Sequence, residues 1–113
     1  MILDTRHEAD VLVVRVTEPR IDAAIAVQFK DAMRAQSDEW SGMILLDMSE
    51  VQFLDSSGLG AVVGAMKQIG ASQTLELAGL TSTVEKVFRL TRMDSVFTIH
   101  STVEDALAIA KAG

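Results

Sequence analysis

Residues 43–68 read MILLDMSEVQFLDSSGLGAVVGAMKQ, and this stretch carries the pattern that decides the fold class. Its first six residues form a continuous apolar run of strand length, which is typical of a strand covered on both faces in a largely parallel sheet. After FLDSSG, apolar residues recur at helical spacing up to about Gly70. The stretch therefore predicts a buried central strand, a short connection and a helix.

The flanking sequence continues this alternation of strands and helices. Further strand-like runs lie at 2–7, 11–16, 74–79 and 95–100, and the first two are expected to pair as a hairpin. Helical patterns begin at Asp22, at Thr81 or Ser82, and at Ser101 or Thr102, all residue types suited to an N-cap. The order predicts one α/β domain over residues 1–113, with a mixed, mostly parallel sheet of about five strands and about four helices.

Composition excludes several classes of protein. The chain has 113 residues, 49% of them hydrophobic, which fits one ordinary domain. Its net charge of -6 gives no positive field to attract nucleic acid or a membrane surface. The absence of cysteine excludes disulfides, thiolate metal sites and a cysteine nucleophile. Since MILDTRHEAD does not resemble a signal peptide and the longest uncharged apolar stretch, 59–66, is too short for a membrane helix, we expect a cytoplasmic protein.

The junction between strand and helix holds the candidate functional residues. Asp55, Ser56 and Ser57 stand in a row before Gly58, where the helix begins. Any one of the three can cap the helix, which is worth about 1 kcal/mol. A cap explains only one of them, so two other interpretations stay open: a catalytic nucleophile and a serine that becomes modified.

The helix after this junction has two unlike faces. One stripe is apolar and is expected to face the core: Leu59, Val62, Val63, Met66 and Ile69. The opposite side consists of small residues: Ser57, Gly60, Ala61, Gly64 and Ala65. Glycine inside a helix lowers helix stability by roughly 1 kcal/mol relative to alanine. The two glycines therefore indicate that a flat surface is more important at these positions than helix stability. That surface either docks another protein or packs against a neighbouring helix of the same domain, and spacing does not distinguish the two.

A serine beside such a surface can act as a switch. The unpaired N–H groups of a helix N-terminus, together with the helix dipole, favour a phosphate. Phosphorylation of Ser56 would place about -1.5 to -2 charges within the docking surface. A cost of about 3 to 4 kcal/mol would weaken binding a few hundred-fold.

Enzyme and metal chemistry find little support in the sequence. A serine nucleophile needs a base, but His7 and His100 fall at strand ends, and Leu54 occupies the first glycine position of G-x-S-x-G. Asp47 lacks the further acidic pair and the lysine of a phosphoaspartate receiver, and is expected to support its turn. With Glu50 and Asp55 it makes too sparse a set for a metal. We expect no enzymatic activity and no cofactor.

The segment LLDMSEVQFLDSSGLGAVVGAMKQ, residues 45–68, resembles the signature of the anti-sigma factor antagonists, the founding members of the STAS domain family. The shared features are Asp47 at the strand end, Ser49, Val51 and Phe53 in the connection, and Asp-Ser-Ser-Gly-Leu-Gly opening the helix. RIDAAIAVQFK and VEKVFRLTRMDSVFTIHSTVEDALA resemble the family as well. At two positions where the family often has glycine, before the first helix and before the fifth strand, this chain has Glu18-Pro19-Arg20 and Arg92.

The resemblance implies partner switching in bacteria and a STAS-like fold. The unphosphorylated antagonist binds a serine kinase that doubles as an anti-sigma factor and so frees a sigma factor. The kinase phosphorylates the serine matching Ser56, and a PP2C-type phosphatase restores it. The residues expected to bind the partner are Asp22, Asp55, Ser56, Ser57, Gly58, Gly60, Ala61 and Gly64. The alternative is a STAS accessory or scaffold subunit, of a transporter or signalling complex, that binds without phosphorylation.

Overall fold

The computed structural model describes residues 2–112, which form seven strands, four α-helices and one 3-10 helix. The strands are β1 (Leu3–Glu8), β2 (Val11–Val16), β3 (Arg20–Ile21), β4 (Gly42–Asp47), β5 (Phe53–Leu54), β6 (Gln73–Ala78) and β7 (Ile99–His100). The helices are α1 (Ala26–Ser37), α2 (Ser56–Gln68), α3 (Ser82–Leu90), η1 (Met93–Ser95, the 3-10 helix) and α4 (Val103–Ala112).

Five strands form the main sheet in the order β1-β2-β4-β6-β7. The β1–β2 pair is antiparallel, and each of the other neighbouring pairs is parallel. This arrangement confirms the predicted mixed, mostly parallel sheet with β4 at its centre. A second, small sheet consists of β3 and β5, which run parallel with Arg20 opposite Phe53 and Ile21 opposite Leu54.

Helices cover both faces of the main sheet. Helices α1, α2 and α3 pack on the face that includes Ile44 and Leu46 of β4, with Phe29 and Phe88 wholly buried. Helix α4 packs on the opposite face, where Leu45 is buried. Because β4 is covered on both sides, it is a continuous apolar run, and each such side chain buried contributes about 1.5 to 3 kcal/mol.

Two predicted boundaries are wrong. Helix α1 begins at Ala26 rather than at Asp22, because the Asp22 carboxylate and carbonyl accept hydrogen bonds from Ala24 N and Ile25 N, both at 3.1 Å, and so form a separate turn. The fifth strand of the main sheet is only Ile99–His100 instead of 95–100, since η1 ends at Ser95 and the hydrogen bonds of Val96 N and Phe97 N to the Met93 carbonyl continue the turn.

The turn between α3 and η1 is left-handed at Arg92, where φ is 62°. Glycine adopts that conformation without steric cost, whereas arginine carries a β-carbon that disfavours it. Arg92 is one of the two positions at which this sequence lacks the glycine that is often present in the family it resembles. Over residues 2–112, no helix has the length and apolar character needed to cross a membrane.

Candidate functional site

The N-terminus of α2 is capped by Asp55. Its Oδ1 accepts a hydrogen bond from Gly58 N at 2.8 Å, and its Oδ2 accepts one from Ala23 N at 3.2 Å. The same carboxylate therefore caps the N-terminus of α2 and holds the turn that leads into α1. Among the three candidates for the cap, the aspartate takes the role, and both serine hydroxyls are left for other uses.

Ser56 and Ser57 are the first two residues of α2, and both are exposed. Neither hydroxyl makes a hydrogen bond to another residue in the range 2–112. Their backbone N–H groups lie at helix positions that have no partner within the helix. Ser56 is consequently accessible to a modifying enzyme, and a group added to it would lie beside unpaired donors.

Gly58 lies directly against strand β3 of the small sheet. A β-carbon on this residue would lie 1.9 Å from the Ile21 carbonyl oxygen, so no other amino acid fits without a backbone shift. Gly58 is buried inside the domain. We expected it to contact a partner directly; instead it holds α2 against β3, which sets the position of Ser56.

Of the two alternatives for the face of small residues on α2, packing inside the domain accounts for most of that face. Ala61 and Ala65 are buried, at 2% and 3% exposure, and the β-carbon position of Gly64 lies 3.2 Å from Lys30 Cε of α1. Helix α2 packs against α1 as well as against the sheet, so its buried arc is wider than one stripe. Gly60 stays open, with no atom within 4 Å of its β-carbon position.

The open side of α2 forms one wall of a groove of about 420 Å³. The groove is lined by Ser56, Leu59, Gly60, Val63, Gly64 and Lys67 of α2, with Thr91 and Met93 on the other wall. Leu59 and Val63, which we predicted to face the core, are half-buried and contribute apolar surface to it. The predicted docking surface is therefore narrower and more apolar than the pattern of glycines and alanines indicated.

An arginine and an aromatic ring pair on the small sheet, whose strand β5 precedes α2 in the chain. The Arg20 guanidinium carbon lies 4.2 Å from the centre of the Phe53 ring, and Arg20 Nε donates to Asp22 Oδ2 at 3.4 Å. Sequence reasoning placed Asp22 near Ser56 but did not consider Arg20 at the site. The signal that would have found it is the pairing of β3 with β5, two strands too short to leave a periodic pattern.

The candidates for catalysis and metal binding have structural partners elsewhere. The His7 ring packs against Trp40 with 5.0 Å between centroids, and His100 Nε2 lies 2.6 Å from Glu76 Oε1. Asp47 Oδ1 accepts a hydrogen bond from Ser49 N at 3.0 Å, which is the turn-supporting role predicted for it. In the described part of the chain, no group of three or more His, Cys, Asp or Glu residues could hold a metal ion.

Comparisons with known proteins agree with this architecture. The family model described as the STAS domain matches residues 3–106. An anti-sigma-B factor antagonist from Listeria monocytogenes is 32% identical over 82 residues, which cover 72% of each chain. A crystal structure of an anti-sigma factor antagonist from Mycobacterium paratuberculosis has a TM-score of 0.85 at 24% identity and covers 96% of this chain and 92% of its own.

Two further solved structures share the fold at lower identity. The Bacillus cell fate determinant SpoIIAA in its phosphorylated form has a TM-score of 0.67 at 20% identity, covering 96% of this chain and 98% of its own. The murine anion transporter Slc26a9 has a TM-score of 0.81 at 19% identity; 96% of this chain is covered, against 19% of the transporter.

Proposed function

The chain belongs to the STAS domain family, and on this premise we propose that it is an anti-sigma factor antagonist switched by phosphorylation of Ser56. The unphosphorylated form binds an anti-sigma factor that is also a serine kinase, and this binding releases a sigma factor. A PP2C-type phosphatase reverses the modification. The observation that carries the proposal is an exposed serine hydroxyl without a hydrogen bond that lines a mainly apolar groove, beside a helix cap that a different residue supplies.

The chemistry needs nothing from the antagonist beyond the hydroxyl. The kinase transfers the γ-phosphoryl group of its bound ATP to Ser56 Oγ, the hydroxyl proton is lost, and ADP leaves. The phosphatase then uses water to release inorganic phosphate and restore the hydroxyl. Catalysis belongs to the partners, so the antagonist requires no cofactor of its own.

The fold can accept the phosphate. Because Asp55 makes the cap through Oδ1, modification of Ser56 breaks no hydrogen bond among residues 2–112. The added charge lies at the positive end of the α2 dipole, which favours an anion by about 0.3 to 1 kcal/mol. Repulsion from Asp22 and Asp55 acts in the opposite direction, so the two effects partly cancel.

A partner bound in the groove, in contrast, cannot accommodate a phosphate on Ser56. The groove that begins at Ser56 has an apolar wall formed by Leu59 and Val63, and a partner docked there excludes water from the serine. A phosphate in that interface must lose its hydration or meet the partner's own polar groups, which is costly unless new bonds form. The same group is thus tolerated within the domain and excluded from the interface.

The test is incubation of the protein with ATP and the candidate kinase, followed by intact-mass measurement and peptide mapping. We expect a single added phosphoryl group on Ser56 in the parent chain and in Ser57→Ala, and no added phosphoryl group in Ser56→Ala. Modification of Ser57 instead, or of neither serine, would contradict the switch. In that case binding without phosphorylation, as in a scaffold or transporter subunit, becomes the better account.

A further inference from the structure

A cation lies on the small sheet that leads into α2, the helix that begins with the serine of the proposed function. Arg20 is opposite Phe53 in the small sheet, and its guanidinium covers that ring at 4.2 Å. Its hydrogen bond to Asp22 Oδ2 is a single contact of 3.4 Å, near the long limit for such a bond. The side chain of Arg20 is 58% exposed. The guanidinium is therefore held loosely, with room to change its partner.

Asp22 and Phe53, the two residues that contact the Arg20 side chain, each lead to the start of α2. Asp22 precedes Ala23, whose backbone N–H is bonded to Asp55, the residue directly before Ser56. Phe53 lies on β5, two residues before Asp55. Because β3 and β5 run parallel, the chain segments that follow Arg20 and Phe53 approach Ser56 together. The guanidinium thus stands on the strand whose continuation is hydrogen-bonded to the residue directly before Ser56, which makes a group attached to Ser56 a candidate partner for it.

We propose that Arg20 binds the phosphate of phosphorylated Ser56, exchanging its single contact with Asp22 for a bidentate contact with the phosphate. The inference rests on the proposed function, because it concerns the modified state of the same serine. Phosphate carries about -1.5 to -2 charges where the Asp22 carboxylate carries one. Its oxygens also match the planar fork of arginine, so two parallel hydrogen bonds replace one long one.

This exchange changes more than the charge of the site. When the guanidinium leaves, the Phe53 ring loses the group that covers it, and it is already 36% exposed. Asp22 loses its cation at the same time. Phosphorylation therefore alters both the charge and the apolar surface that a partner meets, and Arg20 determines how the modified state differs from the unmodified one.

The experiment is a phosphorus NMR titration of the chain carrying phosphoserine at position 56, introduced during translation so that no kinase is needed. A nearby guanidinium stabilises the dianion and so holds the second pKa of the phosphate low. We expect Arg20→Gln to raise that pKa by about 0.2 to 0.7 of a pH unit, as for the loss of an exposed ion pair. Arg20→Lys, which keeps the charge without the fork, is expected to fall between Arg20→Gln and the parent.

Lys67→Gln is the matched control. Lys67 lines the same groove. It is eleven residues from Ser56, which is about 16 Å along the helix axis. That distance is longer than the Debye length at physiological ionic strength, so salt screens most of the interaction between the two charges. Its loss is expected to move the phosphate pKa by about 0.1 of a unit or less. An Arg20→Gln value equal to the parent's, or to that of Lys67→Gln, would overturn the inference.

A second measurement covers the case in which Arg20→Gln does not fold. In the parent chain, the Nε–H resonance of Arg20 is followed while a phosphatase removes the phosphate, and we expect it to shift as the guanidinium returns to Asp22. An unchanged resonance would overturn the inference. Neither measurement uses the kinase, so the proposed function can fail, through absence of modification by any kinase, while Arg20 still binds phosphate.

Discussion

Gly58 lies so close to Ile21 that a β-carbon on Gly58 would meet the Ile21 carbonyl oxygen at 1.9 Å, and this approach fixes the N-terminus of α2 against β3. Gly60, two residues further along the same helix, has no atom within 4 Å of its β-carbon position. The two glycines thus serve different purposes. One is required by the fold, and the other leaves the groove beside Ser56 open.

Gly58→Ala and Gly60→Ala should change stability in opposite directions. In Gly58→Ala the methyl group forces α2 away from the Ile21 carbonyl, and we expect a loss of about 1 to 3 kcal/mol in the free energy of unfolding. In Gly60→Ala the methyl group meets open space and favours the helix by about 0.5 to 1 kcal/mol. Urea denaturation of both variants measures the change in the free energy of unfolding. Equal changes would mean that Gly58 does not approach Ile21 this closely.

Removal of the Asp55 carboxylate should loosen two segments together. Asp55→Ala loses the cap on α2 and the bond to Ala23 N, at a cost of about 1 to 2 kcal/mol. Asp55→Asn keeps a carbonyl oxygen for Gly58 N but cannot serve both N–H groups, so its loss should be smaller. Hydrogen exchange should show faster exchange at Ala23 in both variants. Slow exchange there would mean that the turn does not depend on Asp55.

A large side chain at Gly60 should block the partner while sparing the fold. Gly60→Arg fills the open part of the groove, and we expect at least a ten-fold weaker affinity for the anti-sigma factor, equivalent to about 1.4 kcal/mol. Ala108→Arg is the matched control, because it adds the same group to an exposed position of α4, on the opposite face of the sheet. Should both variants bind like the parent, the partner does not use this groove.

Phosphorylation itself should have little effect on stability. The helix dipole and the proposed contact with Arg20 favour the phosphate, whereas the carboxylates of Asp22 and Asp55 disfavour it. The free energy of unfolding should therefore stay within about 1 kcal/mol of the unmodified value. Thermal unfolding of the two forms compares them directly. A loss of more than about 2 kcal/mol would mean that the modification acts by unfolding the domain and not by blocking an interface.

The sequence predicted the parts of the fold that depend on long apolar patterns. The run at 43–48 marked the central strand because both of its faces are buried, and the spacing from Leu59 to Met66 marked α2. The start of α1 was placed four residues early because Asp22 suits an N-cap, and only its contacts with Ala24 and Ile25 assign it to a turn. The small sheet leaves no pattern, since each strand has two residues.

The role of the candidate site stays a prediction, and the structure gives only its local geometry. Asp55, directly before Ser56, caps α2 and accepts a hydrogen bond from Ala23 N in the turn that begins at Asp22. Spacing left the face of small residues on α2 open between docking and packing against a neighbouring helix. In the structure α2 packs on both the sheet and α1, and Ala61 is buried. Arg20 was missed because its place depends on a pairing between residues that are distant in sequence.

Whether a phosphate on Ser56 prevents binding of the anti-sigma factor is measured by calorimetric titration of that partner with the two forms of the antagonist. We predict that the form phosphorylated at Ser56 binds a few hundred-fold more weakly than the unmodified form, a difference of about 3 to 4 kcal/mol. A chain carrying phosphoserine at position 57 should lose less affinity. Equal affinities of the unmodified and the Ser56-phosphorylated protein would mean that phosphorylation of Ser56 does not control binding.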